Sequence, residues 1–160
     1  MHKSLLRGMM NRVLNLVAQF APGATTFRPF LHKLRGVKIH GTVFIGDQVY
    51  LENEYPEVIE LHDGVQLALR TMVMGHLRGA GKIVIEPNVW IGANCVVAAP
   101  AGRTLTIGQG SAVAASSVVT QDVSPFMFVG GSPAKPIARV TVPLTLNTSY
   151  EDFKKGLVPL

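Results

Sequence analysis

The sequence predicts an all-β domain, a parallel β-helix preceded by one α-helix. Three observations carry this. Aliphatic residues recur at every sixth position from residue 37 onward; glycine is frequent (16) while aromatic residues make up only 7% of the chain; and the N-terminal segment follows a helical period instead.

The helix comes first. Leu5, Leu6, Met9, Met10, Val13, Leu14, Val17 and Phe20 form one apolar stripe at helical spacing, with Arg7 and Arg12 largely off it, and Pro22-Gly23 ends the element. The stripe has two readings. It packs on the body of the protein or on a neighbouring subunit, or it lies on a membrane as a basic amphipathic helix. We expect packing.

The repeats follow. Ile39, Ile45 and Leu51 stand six apart, as do Leu61, Leu67 and Val73, then Ile85, Ile91 and Val97, then Ile107, Val113 and Val119. A small or acidic residue often comes next (Gly46, Glu86, Gly92, Gly108, Ala114), then one suited to a tight turn (Asn88, Asn94, Gly110). Each hexapeptide therefore reads as a short strand and a turn with one large aliphatic side chain pointing inward. Three close a triangular coil, and stacked coils bury a continuous column.

The period breaks around "ENEYPEVIE", at "MGHLRGAGK" and at "APAGRTL". A solenoid accepts insertions only at its corners, as loops, and such loops commonly carry function. Pro125, Pro133 and Pro136 are expected to end the coils, and "SYEDFKKG" to form a short helix. The division is a helix and lead-in segment at 1–36, the β-helix at 37–140 and a tail at 141–160.

Hydrophobic content of 48% against 16% charged residues excludes a disordered chain. The net charge is +5 and the pI about 9.7. Positive residues gather at Lys3, Arg7, Arg12, Arg28, Lys33, Arg35 and Lys38 and return at Lys135 and Arg139. No nucleic-acid module accompanies them, so no nucleic-acid partner is expected; a small anionic ligand or an acidic membrane fits the charge. One cysteine, Cys95, excludes an internal disulfide and fits a reducing compartment. No apolar run approaches a membrane span, and the N-terminus does not read as a signal peptide.

The segments "IEPNVWIGAN", "IGQGSAVAASSVVTQDV" and "VGGSPAKPI" resemble the left-handed β-helix acyltransferases, and within them the hexapeptide-repeat O-acetyltransferases of sugars, exopolysaccharide and lipopolysaccharide. "GVKIHGTVFIGDQVYLENEYPEVIEL" is similar to the same group, so the resemblance covers residues 28–140. It implies a left-handed coil, acetyl-CoA as acyl donor, a saccharide acceptor, a homotrimer and a cytoplasmic enzyme of polysaccharide biosynthesis, at the inner face of the membrane if the N-terminal helix touches lipid.

It also implies roles. A loop histidine just upstream of the N-V-W-I-G coil serves as general base, which here is His76 in "GHLRG". A sugar hydroxyl is a weak nucleophile at neutral pH, and histidine is a base suited to it. Gly75, Gly79 and Gly81 would let the loop approach substrate closely. Ala93 and Ala115 would flank the thin pantetheine arm, where bulk would block it. Thr120 and Lys135, assisted by Arg139, would lie at the nucleotide end, and Trp90 near the donor groove or a subunit contact. Gln121 stands where the resemblance implies a lysine. On the acceptor side the implied asparagine position falls on Glu52, with Asn53 next to it. Glu52 would orient His76, bind sugar hydroxyls or act as a turn carboxylate. The short "MGHLRGAGK" loop suggests an open acceptor site, as a polymeric or lipid-linked sugar needs.

Of the remaining histidines, His2 is terminal and His32 lies in the lead-in segment. His40 and His62 follow inward positions and are expected on the coil surface or at a subunit contact. A zinc site of the kind this coil can host needs three histidines across a subunit boundary, and no histidine follows His76, so no metal is expected. Two alternatives stay open, an N-acetyltransferase acting on an amino-sugar and a non-catalytic assembly protein.

Overall fold

In a computed structural model that describes residues 4–76, 79 and 81–160, the hexapeptides build a three-sided parallel β-helix. The first sheet holds β1 (Lys38–Ile39), β4 (Ile59–Leu61), β7 (Lys82–Ile85) and β10 (Thr104–Ile107). The second holds β2 (Phe44–Ile45), β5 (Gln66–Leu67), β8 (Trp90–Ile91), β11 (Ala112–Val113) and β13 (Met127–Gly131). The third holds β3 (Tyr50–Leu51), β6 (Met72–Met74), β9 (Val96–Ala98) and β12 (Val118–Val119).

The expected inward residues stack in register. Ile39, Leu61, Ile85 and Ile107 pair in turn along the first sheet. Ile45, Leu67, Ile91, Val113 and Val129 do so along the second. Leu51, Val73, Val97 and Val119 do so along the third. The expectation of one inward side chain per hexapeptide needs correcting, because the residue two positions earlier is buried as well. Val43, Val65 and Val89, and Val49 and Cys95, join the same core. Extended backbone puts i and i−2 on one face, so both enter the column. Polar members of that second set are satisfied: Thr71 Oγ1 donates to Gly92 O at 2.9 Å, and Ser111 Oγ to Ser124 O at 2.8 Å. Burial pushes the Cys95 thiol up, so it behaves as a small core residue.

Between the second and third sheets each corner uses a left-handed residue. Gln48, Arg70, Asn94 and Ser116 have φ of 56° to 60°. The corners also pack closely. A Cβ on Gly92 would lie 2.6 Å from the nitrogen of Ala115 in the next coil.

At the C-terminal end, β13 extends the second sheet beside β11 and the chain then turns back as β14 (Ala134–Val140), antiparallel to β13. The parallel coils thus end in the region of Pro125, Pro133 and Pro136, and Pro136 itself sits in the antiparallel return strand. The tail forms α3 (Tyr150–Lys155), capped by Ser149 Oγ accepting from Asp152 N at 3.1 Å, and β15 (Leu157–Pro159), which pairs with β14. Phe153 buries its ring with Ala112, Val140 and Leu144, so the tail covers the outer face of the second sheet.

The N-terminal region holds α1 (Leu5–Phe20) and a second helix, α2 (Phe27–Arg35), that hydrophobic spacing did not reveal. The α1 stripe does not pack on the body of its own chain. Asn11, Asn15 and Ala18 are the residues buried against the protein, while Leu5 is 81% and Phe20 65% exposed. The reason is Arg35, which is fully buried at the mouth of the coil. Its Nη1 donates to Asn15 Oδ1 at 2.9 Å, and its Nη2 to Leu51 O at 3.0 Å, Glu52 O at 2.6 Å and Asn53 Oδ1 at 2.8 Å. Burying a guanidinium is costly unless its donors are used, and here both Nη atoms are engaged while Nε has no hydrogen-bond partner. The polar face of α1 is therefore drawn inward and the apolar stripe is left outside. Arg28 ties the other end, donating to Ala21 O and Ile45 O and pairing with Asp47.

Candidate active site

The three breaks in the repeat share one corner. Residues 52–58, 75–81 and 99–103 all leave the third sheet and enter the first, and so do residues 120–122. Stacking of the coils therefore lines up Tyr55, His76, Arg103 and Thr120 along a single edge.

His76 follows β6 directly. The neck of its loop closes where Gly81 N donates to Gly75 O at 2.8 Å. A Cβ on Gly81 would come within 2.9 Å of both Gly75 O and Pro100 O, and one on Gly75 would meet Val58. These glycines thus let adjacent corner loops pack on one another. Leu77, Arg78 and Ala80, on which the open-loop expectation partly rests, lie outside the described residues. The His76 ring is half-buried and stands edge-on to Tyr55, with centroids 4.7 Å apart and planes at 61°. Tyr55 is placed by the turn at Pro56–Val58, in which Val58 N donates to Tyr55 O at 3.1 Å.

Glu52 and Asn53, expected on the acceptor side, are engaged within the chain. Glu52 is buried and its Oε1 accepts from Glu54 N at 2.9 Å, the turn-carboxylate reading. Asn53 turns its Oδ1 to Arg35 and its carbonyl to Asn11.

Thr120 and Gln121 line a recess of about 330 Å³ with Pro100, Arg103 and Asp122. Gln121 also faces a smaller recess of about 180 Å³ with Ala134 and Pro136, which flank Lys135 in the β13–β14 hairpin. Thr120, Gln121 and Lys135 are thereby brought to one end of the molecule. Arg139 is not; it pairs with Met127 at the far end of the hairpin and lines a separate hollow with Phe126 and Thr141. Arg103 was missed. It lies in an insertion without a motif, and only the stacking of corners places its cation beside Gln121, where the resemblance implies a lysine.

Ala93 and Ala115 occupy the other corner, between the second and third sheets, where Ser116 N donates to Ala93 O at 2.8 Å. Ala93 is half-buried and Ala115 exposed, which leaves a smooth step. Trp90 packs with Phe128 and Leu157 around Phe153 under the C-terminal tail. The third sheet separates this alanine column from the His76 edge, so one chain alone does not bring the two together.

His40 and His62 lie on the outer face of the first sheet, their Nε2 atoms 3.2 and 3.4 Å from Glu60 Oε1. Lys82 Nζ reaches Glu60 Oε2 at 2.8 Å and holds that carboxyl below its usual range. The ligand atoms of His40, Glu60 and His62 lie within 4.8 Å of one another, a spacing a metal ion accepts, though Lys82 already neutralises the carboxylate. His32 is buried beside Arg35, and burial foremost, then the guanidinium, push its pKa down to about 3.

No protein-family model matches the chain. A putative acetyltransferase of Schizosaccharomyces pombe is 47% identical over 58 residues, 36% of this chain and 26% of its own. A 2,3,4,5-tetrahydropyridine-2,6-dicarboxylate N-acetyltransferase of Staphylococcus aureus is 37% identical over 79 residues, 49% of this chain and 28% of its own. The chain thus spans about a quarter of the length of these curated relatives. A solved hexapeptide-repeat acetyltransferase of Vibrio cholerae O1 biovar eltor, complexed with acetyl coenzyme A, superposes with a TM-score of 0.65 at 25% identity, over 84% of this chain and 87% of that one. The fold is that of the hexapeptide-repeat acetyltransferases. Within that fold, the edge carrying His76 and the recess at Thr120 are the features to be explained.

Proposed function

We propose that this hexapeptide-repeat protein is an acyltransferase that moves an acetyl group from acetyl-CoA to a saccharide hydroxyl, with His76 as general base. The observation that carries the reading is the shared edge, on which the imidazole held against Tyr55 and a recess rimmed by Arg103 and Thr120 fall in one stack of corner loops.

The residues fit the donor. Ala93 and Ala115 offer a side-chain-poor track for a thin acyl-carrying arm, and Arg103 and Lys135 offer cations for its phosphates. Acetyl-CoA supplies an activated acyl thioester. His76 accepts the proton of the acceptor hydroxyl as that oxygen attacks the acyl carbon, and returns it to the departing thiol. Tyr55 fixes the imidazole plane. Because the alanine column and His76 lie on different corners, a complete site forms between neighbouring copies, which supports a homotrimer with its sites at the subunit boundaries.

A histidine base serves an amine as well, and the Staphylococcus aureus relative is an N-acetyltransferase by name. We favour the hydroxyl because it needs a base at neutral pH, whereas a free amine needs less help. The test is thiol release from acetyl-CoA across a panel of saccharides and amino-sugars, with the product's lability to hydroxylamine read by mass spectrometry. An ester product supports O-transfer; a stable amide assigns the N-acyl reaction; no release with any acceptor refutes the transferase.

A further inference from the structure

The outward side of α1 and α2 has no role in the acyl-transfer site, yet among the described residues most of the large exposed hydrophobic side chains lie on these two helices. On α1, Leu6, Val13, Leu16 and Phe20 are 60% exposed or more, and on α2 Phe27, Phe30 and Leu34 continue the face. Phe27 and Phe30 stack at 6.3 Å. Ala18, Ala21 and Leu31 lock the two helices together, so the face is a single rigid surface. A surface helix normally turns its apolar side inward; here the polar side is inward, bound to Arg35 and Asn53.

Charge says what covers it. Residues 1–46 contain seven lysines and arginines and no aspartate or glutamate, while the rest of the chain has eight against ten. The whole positive excess of the protein therefore belongs to this part. Lys33 and Lys38 are exposed beside the apolar face, and Arg7 holds the helix junction by donating to Leu34 O and Arg35 O. Arg28 and Arg35 are buried and Arg12 is paired with Glu54, so the charge that a second copy docked here would meet is the exposed Lys33 and Lys38, like against like. An anionic surface with an apolar interior matches both properties. Among the described residues no helix is long and apolar enough to cross a membrane, so the helices lie in the plane of the interface.

We propose that the α1–α2 face binds the anionic surface of a lipid bilayer. The docking would hold the acyl-transfer edge close to that surface. Asn11 donates to Asn53 O and Arg12 pairs with Glu54, and the next residue along the chain is Tyr55, which carries His76. An acceptor attached to a lipid would be presented at the site without leaving the bilayer. The lipid surface itself stands whichever acceptor is acylated.

The test is co-sedimentation of the full chain with vesicles of phosphatidylcholine alone or doped with phosphatidylglycerol. The expected result is binding to the doped vesicles only, weakened by salt, and weakened roughly fivefold by each of Lys33→Ala and Lys38→Ala. Val13→Glu with Phe30→Glu should abolish it while circular dichroism and molar mass by light scattering stay as in the wild type, since both side chains are exposed. A wild-type protein that stays in the supernatant with doped vesicles overturns the proposal. So does a double-glutamate variant that keeps its vesicle binding but falls to a smaller assembly, which would assign the face to a contact between chains. Neither readout depends on catalysis.

Discussion

His76 stands edge-on to Tyr55, 4.7 Å between ring centroids, although the two residues belong to different coils. The contact joins two separate interruptions of the hexapeptide period. It predicts that Tyr55 is a positioning residue. An edge-to-face pair is worth about 0.5–1.5 kcal/mol, so Tyr55→Ala should lower kcat by up to roughly tenfold with KM for acetyl-CoA unchanged. Tyr55→Phe, which keeps the ring, should restore most of it. Equal loss in both variants would contradict a role carried by the ring.

On the proposed reading, Arg103, which shares a recess with Gln121, supplies the cation that position 121 lacks. Charged hydrogen bonds contribute about 1.5–3 kcal/mol. Arg103→Ala should therefore raise KM for acetyl-CoA roughly tenfold or more with little change in kcat, and the effect should shrink in high salt. Steady-state kinetics at two ionic strengths decide it. Lys135→Ala should act in the same direction, and Arg139→Ala, whose side chain lies at the other end of the hairpin, more weakly.

The separation of the alanine column from His76 predicts that the site is shared between chains. Ala115→Trp should block the donor and His76→Ala should remove the base, each nearly silent alone. Co-expressed in equal amounts, the two should recover roughly a quarter of wild-type activity, because some boundaries then pair an intact histidine with an intact alanine. No recovery in assemblies shown to be mixed would place the whole site within one chain.

His32 gives a pH dependence of stability. Its pKa is about 6.5 when the chain is unfolded and is pushed to about 3 in the folded protein. Between those values the unfolded state binds the extra proton, so stability is fully present above the unfolded pKa and falls as pH drops through the window. At pH 5 the loss from this site is about 2 kcal/mol. Urea unfolding at pH 7 and pH 5 measures it; His32→Gln should lower stability at pH 7 and flatten the difference between the two.

Much of this was legible in the sequence, because a stacked coil imposes its period directly. Every six-residue set falls in register, and each interruption forms a corner loop as packing demands. What the period does not carry is which corner an interruption occupies. That the breaks around Tyr55, His76 and Arg103 share an edge follows only from closing the coils, so Arg103 and the Tyr55 contact stayed hidden. The face that α1 turns to its own chain stayed hidden for a different reason. Helical periodicity shows that two faces differ, and the usual expectation buries the apolar one. Here one buried arginine, identifiable only once α2 is folded against the coil, claims Asn15 and reverses the choice. Glu52 Oε1 accepts from Glu54 N, the turn-carboxylate alternative, and Asn53 Oδ1 accepts from that same arginine.

The most direct measurement is thiol release from acetyl-CoA by wild type and by His76→Ala, each with a saccharide acceptor that the wild type uses. General-base catalysis contributes roughly 10²–10⁴ in rate, so kcat should fall by that factor while acetyl-CoA binding, followed by calorimetry, is retained. Turnover unchanged by the substitution would contradict the account.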